Sequence, residues 1–274
     1  MLRAVLILAL VFALGFVAYL NIPRFGGRYI LHDSAHGEVM TSGQTAQTKP
    51  TINILFVGNS LTSTNDLPAM LVNLAAADEG NTTQLAVKAF THPGASLKYM
   101  LTKTDAFGWA KSNPVDYIVL QEQSGWYGIP RWIATARENA IAWRDALAPL
   151  NVKPVLFESW ADLDGSRIYT ESNYFAYGKN FDQVTADSRR ETGALALELG
   201  WPVIKVGRAF SYAVKAGAQD LFQRDRHHPD HNGTYLAALM FYRFFTGRSG
   251  AESTYRPWGM TASEAAVLVE AAGR

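Results

Sequence analysis

The sequence of 274 residues contains no cysteine. Disulfide bonds, cysteine nucleophiles and thiolate metal sites are therefore excluded, although the redox compartment is left open. The sequence also lacks an excess of charge of either sign, because its formal net charge is +1. This balance gives no indication of a nucleic-acid or strongly anionic partner. Hydrophobic residues make up 48% of the chain, which suits a globular domain with a large core.

One hydrophobic run, over residues 4–20, has the length of a short membrane span. No face of this run is polar, which argues against a core helix. A small-x-small cleavage pattern occurs only inside the run, at Ala13-Leu14-Gly15. We therefore favour an uncleaved signal anchor or transmembrane segment over residues 1–23, with a cleaved signal peptide and a secreted protein as the alternative.

The basic residues around this run do not fix its orientation. Arg3 precedes the run, while Arg24 and Arg28 follow it closely, so the positive-inside rule gives no clear answer. The short flank before the run is nevertheless typical of a signal sequence. We expect the rest of the chain to lie outside the cytoplasm, in the periplasm or at the cell surface, and to contact the membrane through the N-terminal helix.

Residues 32–51 are polar with few large apolar residues, and residues 24–51 are interpreted as a linker. From residue 52 onward, short apolar runs rich in β-branched residues alternate with stretches of helical periodicity. We predict strands at residues 52–57, 84–90, 116–120, 153–157 and 203–206, and helices at residues 69–77, 96–103, 131–147, 183–199, 235–245 and 261–272. This alternation predicts a parallel sheet of about five strands with helices on both faces, in one α/β domain over residues 52–274.

Two short polar stretches of this domain carry groups suited to catalysis. Ser60 follows the first predicted strand in Gly58-Asn59-Ser60-Leu61, where an open α/β sheet binds its ligands. These residue types are also common in turns, and the stretch alone favours an ordinary turn. Asp225 and His228 lie three positions apart before a later helix. Such a pair can supply an orienting carboxylate and a general base.

Taken together, Gly58-Asn59-Ser60-Leu61 and Asp225-x-x-His228-Pro229 resemble the first and last sequence blocks of the SGNH (GDSL-like) hydrolases. The first block of that family is Gly-Asp-Ser-Leu, so this chain has Asn where the family has Asp. The resemblance covers about residues 52–246. It implies a three-layer, flavodoxin-like α/β/α fold and a catalytic triad in which Ser60 is the nucleophile, His228 the base and Asp225 the residue that orients the base.

The same resemblance implies three donors for an oxyanion hole. The first is the backbone N–H of Ser60, and the second is that of Gly94, which matches the glycine of the second block. The third block of the family is Gly-x-Asn-Asp, but this chain has Gln121-Glu122-Gln123-Ser124 and lacks both the Gly and the Asn. Gln123 falls where the Asn would be and carries an amide donor on a side chain one methylene longer. We interpret Gln123 as the replacement.

The resemblance implies a serine ester hydrolase that needs no cofactor. The family includes lipases, thioesterases and carbohydrate esterases. Aromatic residues near the predicted strand ends could line a pocket for a sugar ring or an acyl chain, although single aromatics of this kind are more often core residues: Trp126, Tyr127, Trp132 and Trp160. These features favour a small-molecule or glycan ester with an acetyl or other short acyl group. Two alternatives stay open, a non-catalytic or acyl-transferring glycan-binding relative and a plain α/β binding protein.

A metal site is an alternative interpretation of the histidine-rich segment, residues 225–231. His227, His228 and His231 lie beside Asp225 and Asp230, and such clusters bind metals in some proteins. Their spacing matches no metal-binding motif, and the triad accounts for His228. We therefore expect no metal, and we expect His227 to support the loop.

Overall fold

The computed structural model describes residues 40–41, 49–123, 125–164 and 179–274 of the chain. The predicted membrane segment, residues 1–23, and most of the predicted linker, residues 24–51, lie outside these ranges. Within the described residues, no helix has both the length and the apolar character needed to cross a membrane.

A sheet of six strands forms the centre of the described part of the chain. The strands are β1 (Met40–Thr41), β2 (Thr51–Gly58), β3 (Gln84–Thr91), β4 (Tyr117–Leu120), β5 (Lys153–Glu158) and β6 (Val203–Lys205). They are arranged in the order β1-β3-β2-β4-β5-β6. Strands β2 to β6 are parallel, which confirms the predicted five-stranded parallel sheet, and their order is that of flavodoxin-like folds.

The two-residue strand β1 lies inside the segment predicted as a linker. Met40 pairs with Val87 and Thr41 with Ala86, antiparallel to β3. The sheet therefore recruits backbone from before residue 52, the predicted start of the domain. Pairing to β3 covers part of what would otherwise be an open sheet edge.

Helices cover both faces of the sheet. They are α1 (Ser60–Ser63), α2 (Leu67–Ala76), α3 (Leu97–Lys103), α4 (Ala106–Ser112), α5 (Pro130–Leu147), α6 (Phe181–Leu199), α7 (Val206–Lys215), α8 (His231–Thr246) and α9 (Ala262–Gly273). Alternate residues of β2 face opposite sides, so that Phe56 packs in a core with Phe241 of α8, and Leu55 packs in a second core with Trp143 of α5. Two cores on either side of one sheet make the three-layer α/β/α architecture that the sequence predicts.

Helix α7 follows β6 without a loop and was not predicted. The sequence indicated a strand over residues 203–206, whereas Val206 already begins the helix. The side chain of Glu158, at the end of β5, accepts a hydrogen bond from the backbone N–H of Arg208 at 3.1 Å. It thereby pairs one of the first-turn N–H groups that have no acceptor within the helix. Gly207 packs against the Ser159 carbonyl, where a Cβ atom would overlap with that oxygen. These long-range contacts start the helix, and local sequence signals do not reveal them.

Candidate active site

Ser60 is the first residue of α1 and follows β2 directly. The sequence predicted a loop at this position, but the chain turns at once into a helix of four residues. Asn59 makes this turn possible because its side-chain oxygen accepts a hydrogen bond from the Leu61 N–H at 3.1 Å. Ser60 is half-buried at the carboxyl edge of the sheet.

Gln121, directly after β4, ties this turn to the neighbouring strand. Its Oε1 accepts hydrogen bonds from the Asn59 N–H at 3.0 Å and from the Thr62 hydroxyl at 2.9 Å. Its Nε2 donates to Asn59 Oδ1 at 2.9 Å. A Cβ atom on Gly58 would lie 2.6 Å from Gln121 Oε1, so the network leaves room only for glycine there. The amide of Asn59 also donates to the Ala95 carbonyl at 3.0 Å, so the turn is fixed to the loops after β3 and β4.

The structure brings together the three residues predicted as a triad. His228 Nε2 lies 2.9 Å from Ser60 Oγ, and His228 Nδ1 lies 2.7 Å from Asp225 Oδ2. The other carboxylate oxygen of Asp225 accepts the backbone N–H groups of His227 and His228, each at 2.9 Å. Burial acts to raise the pKa of Asp225, but these hydrogen bonds outweigh it and hold the pKa below its usual value. An ionised Asp225 can therefore hold the ring of His228 while Nε2 accepts the proton of Ser60.

Asn65 links the segment after Ser60 to the segment that carries His228. Its amide donates to the Pro229 carbonyl and to the Thr234 hydroxyl, both at 3.0 Å. Asn65 has a φ of 54°, in the left-handed region that Asn tolerates better than most residues. These two bonds hold the segment after Ser60 against Pro229 and the first turn of α8.

Gly94 and Gln123, predicted as oxyanion donors, follow the two strands that flank β2. Gly94 has a φ of 67°, and the turn around it is closed by a hydrogen bond of 3.1 Å from the Ala95 N–H to the His92 carbonyl. Glycine suits this turn because its backbone is left-handed. Gln123 is half-buried just beyond β4. Their part in binding an oxyanion stays a prediction.

Glu122 is a site residue that the sequence analysis did not single out. It is 2% exposed, and its Oε1 accepts the N–H groups of Gln123 at 2.7 Å and of Leu97 at 3.0 Å. Its Oε2 accepts the Asn139 amide at 2.8 Å. Burial raises the pKa of Glu122 to about 7 against these three hydrogen bonds. The carboxyl group joins the loops after β3 and β4. A charged residue two positions after a buried strand was the signal available in the sequence.

The aromatic residues considered for a pocket fall into two groups. Trp160 is buried and stacks on Phe210 at a centroid distance of 4.2 Å, and Tyr127 is also buried, so both belong to the core. Trp126 and Trp132 are half-buried and stack on each other at 4.8 Å with nearly parallel rings. Trp126 lies three residues after Gln123, and the backbone N–H of Trp126 donates to the Gln123 carbonyl at 3.2 Å.

The three histidines of the histidine-rich segment have separate partners. His227 Nδ1 lies 2.6 Å from Asp162 Oδ1 in the interior, and the exposed His231 lies 3.2 Å from Asp230. His228 is part of the Ser60 arrangement. In the part of the chain that the structure describes, no group of three or more His, Cys, Asp or Glu residues could hold a metal ion.

No protein-family model and no curated protein matches the chain. Solved structures do match it. A DUF4886 family protein from Bacteroides uniformis aligns with a TM-score of 0.65 and 19% identity, over 81% of this chain and 93% of that protein. A protein from Slackia heliotrinireducens, described provisionally as an SGNH hydrolase, aligns with a TM-score of 0.57 and 24% identity, over 72% and 100% of the two chains.

A catalytic mutant of an acetylxylan esterase from Geobacillus stearothermophilus aligns with a TM-score of 0.52 and 14% identity, over 72% of this chain and 95% of that enzyme. At these identities the alignments concern the fold. The chain has the three-layer α/β fold of the SGNH hydrolases.

Proposed function

We propose that the protein is a serine ester hydrolase of the SGNH type. The observation that carries this proposal is the continuous hydrogen-bond path from Asp225 through His228 to Ser60, with steps of 2.7 and 2.9 Å, at the carboxyl edge of the parallel sheet. Nucleophile, base and orienting acid within hydrogen-bond reach are the arrangement that acyl transfer from an ester requires. The side chains of His228 and Asp225 keep 24% and 29% of their surface exposed, so a substrate can approach them.

In the proposed reaction, Ser60 Oγ attacks the ester carbonyl carbon while His228 Nε2 takes the hydroxyl proton. The N–H groups of Ser60 and Gly94 and the amide of Gln123 stabilise the oxyanion. His228 then gives the proton to the leaving alcohol, and an acyl-serine remains. Water releases the acid by the same steps, with His228 first as base and then as acid. Asp225 stabilises the protonated ring in both halves.

The proposed substrates are carboxylic esters with acetyl or short acyl groups, including those on carbohydrates. An acetylxylan esterase with the same fold supports this choice, as does the stacked pair of Trp126 and Trp132 beside Gln123. Residues 1–23 are proposed to anchor the enzyme in the membrane, with the hydrolase domain outside the cytoplasm. An extracytoplasmic enzyme would meet acylated glycans directly.

The test is hydrolysis of aryl esters of increasing acyl length and of acetylated sugars by the purified chain. Ser60→Ala should lower kcat/KM by about a thousandfold or more, since it removes the nucleophile. Ser63→Ala is the matched control, because Ser63 is a half-buried serine at the end of the same short helix. The control should keep wild-type activity. Undiminished hydrolysis by Ser60→Ala would remove Ser60 from the mechanism.

A further inference from the structure

A second histidine–carboxylate pair lies directly beside the first. His227 Nδ1 is 2.6 Å from Asp162 Oδ1, and the two side chains are only 2% and 5% exposed. Asp162 belongs to the segment after β5, whereas His227 belongs to the base loop, defined as residues 225–229. Buried charged or polar pairs add little stability compared with apolar residues of the same volume. The pair therefore needs another explanation, and its position suggests one.

The ring of His227 contacts the ring of His228. Their centroids are 4.6 Å apart and their planes cross at 87°, so an edge of one ring meets the face of the other. The backbone N–H of His227 also donates to Asp225 Oδ1 at 2.9 Å. His227 thus touches both the base and the carboxylate that orients the base.

Further bonds fasten the base loop to the segment after β5. The indole N–H of Trp160 donates to the His227 carbonyl at 3.0 Å, and the Leu163 N–H donates to the Arg226 carbonyl at 2.9 Å. The guanidinium of Arg226 donates to the Asp164 carbonyl. Arg226 has a φ of 63°, which is a costly conformation for a residue with a side chain. A strained backbone persists only where its surroundings hold it, and here the segment after β5 does so.

We propose that Asp162 and His227 are positioning residues that hold the imidazole of His228 within reach of Ser60. This rests on the proposed function, because it assigns the pair to the same catalytic base. The ring of His227, held by its hydrogen bond to Asp162, forms one wall of the space in which the ring of His228 sits. Loss of the pair lets His228 move away from Ser60 Oγ, and misplacement of a catalytic group by about 1 Å costs on the order of a hundredfold in rate.

The kinetic test compares two substitutions at one position. His227→Leu removes the donor to Asp162, and we expect kcat to fall on the order of 10- to 100-fold while KM stays within about twofold. His227→Asn can place an amide N–H where Nδ1 lies, and it should recover most of the lost kcat. His231→Leu is the matched control, because His231 is an exposed histidine paired with Asp230 in the same segment. It should keep wild-type kcat.

A spectroscopic test works without any substrate and with a milder substitution. Imidazole protons hydrogen-bonded to a carboxylate give strongly deshielded proton resonances, so the wild-type chain should show one from each pair. Asp225→Asn should remove the resonance of His228. Asp162→Asn, which keeps the size of the side chain, should remove that of His227 and shift that of His228. This arm also covers the case in which His227→Leu does not fold.

The two arms separate the failure of this proposal from the failure of the proposed function. If the wild-type chain hydrolyses no ester, the hydrolase assignment fails, and the His228 resonance in Asp162→Asn still decides whether the pair positions that ring. Wild-type kcat in His227→Leu, or an unshifted His228 resonance in Asp162→Asn, would overturn the proposal. A kcat that falls only in proportion to the folded fraction would overturn it as well.

Discussion

Gln123 lies in the sequence where the third block of the SGNH hydrolases, Gly-x-Asn-Asp, has its Asn. If its amide stabilises the oxyanion, it acts mainly in the transition state, so its loss should lower kcat and leave KM nearly unchanged. Losing one such donor costs about 3 kcal/mol, or about a hundredfold or more in rate. We expect this result for Gln123→Ala, measured as kcat and KM with a short-chain aryl ester.

Two further substitutions at position 123 test separately the length and the charge of the side chain. Gln123→Asn has a shorter amide and should recover activity only as far as the backbone moves inward. Gln123→Glu should be worse than Asn, because an ionised carboxylate repels a developing oxyanion and cannot donate. Thermal unfolding of all three variants is the control. Wild-type kcat in the Ala variant would leave the oxyanion to the N–H groups of Ser60 and Gly94.

The buried carboxyl of Glu122 predicts a pH dependence of stability. Burial raises the pKa of this carboxyl group from its usual value of 4.5 to about 7 on folding. Between these two pKa values the folded protein binds more protons than the unfolded chain. The free energy of unfolding therefore falls as the pH rises from about 4.5 to 7, and it keeps this lower value at higher pH. A shift of this size corresponds to about 3 kcal/mol.

Glu122→Gln should remove this pH dependence. Gln has nearly the shape of the protonated acid and can still accept the N–H groups of Leu97 and Gln123. The variant should match the wild type near pH 4.5 and be the more stable protein at pH 8, by up to about 3 kcal/mol in denaturant unfolding. Glu79→Gln, at an exposed position, is the control. Parallel pH profiles for the wild type and Glu122→Gln would contradict the prediction.

Between the elements β2 and α1, the contacts of residue 59 favour Asn over the Asp that the first block of the SGNH hydrolases has there. Asn59 is 2% exposed, and its amide donates to the Ala95 carbonyl at 3.0 Å. In Asn59→Asp a carboxylate oxygen would face that carbonyl oxygen without a proton between them. We expect a loss of about 2 kcal/mol in the free energy of unfolding, measured in urea. Asn73→Asp on the exposed side of α2 is the control, and an equal loss there would refute the explanation.

The strands and most helices could be predicted because they depend on local patterns. The strand predicted at residues 84–90 is observed as β3 (Gln84–Thr91), and the helix predicted at residues 183–199 as α6 (Phe181–Leu199). For two of the helices that were not predicted, α7 and α1, the decisive contact comes from another element. Helix α7 starts at Val206 because the side chain of Glu158, at the end of β5, accepts a hydrogen bond from its first turn. Helix α1 starts at Ser60 because Asn59 caps it, and Asn59 is in turn hydrogen-bonded to Gln121, the residue after β4.

At the scale of the whole molecule, the candidate site joins residues that are far apart in sequence. Ser60 and His228 are 168 positions apart and yet lie in hydrogen-bond contact. Ser60 could be placed at the carboxyl edge of the sheet because it follows a parallel strand. The place of His228, which follows helix α7, was implied only by the resemblance to the SGNH hydrolases. The pair of Asp162 and His227 could not be predicted, because no local pattern indicates which of several aspartates reaches a given histidine.

The anchor is a prediction about the whole chain. Residues 4–20 are expected to form a membrane helix separate from the α/β domain. Removing residues 1–25 should release soluble protein whose kcat/KM equals that of the full chain, while the full chain stays with the membrane fraction on sedimentation. Unfolding of the shortened chain, measured by circular dichroism, would mean that the segment belongs to the core.

The most direct measurement of the proposed function is covalent labelling with a fluorophosphonate probe, read by mass spectrometry of the digested protein. The hydroxyl of Ser60 should displace fluoride and carry one phosphonate group per chain, because His228 lies 2.9 Å away to accept its proton. Ser63→Ala should be labelled at the wild-type rate, and His228→Ala should be labelled far more slowly. A folded wild-type protein without label at Ser60 would contradict the hydrolase and favour a binding protein with the same fold.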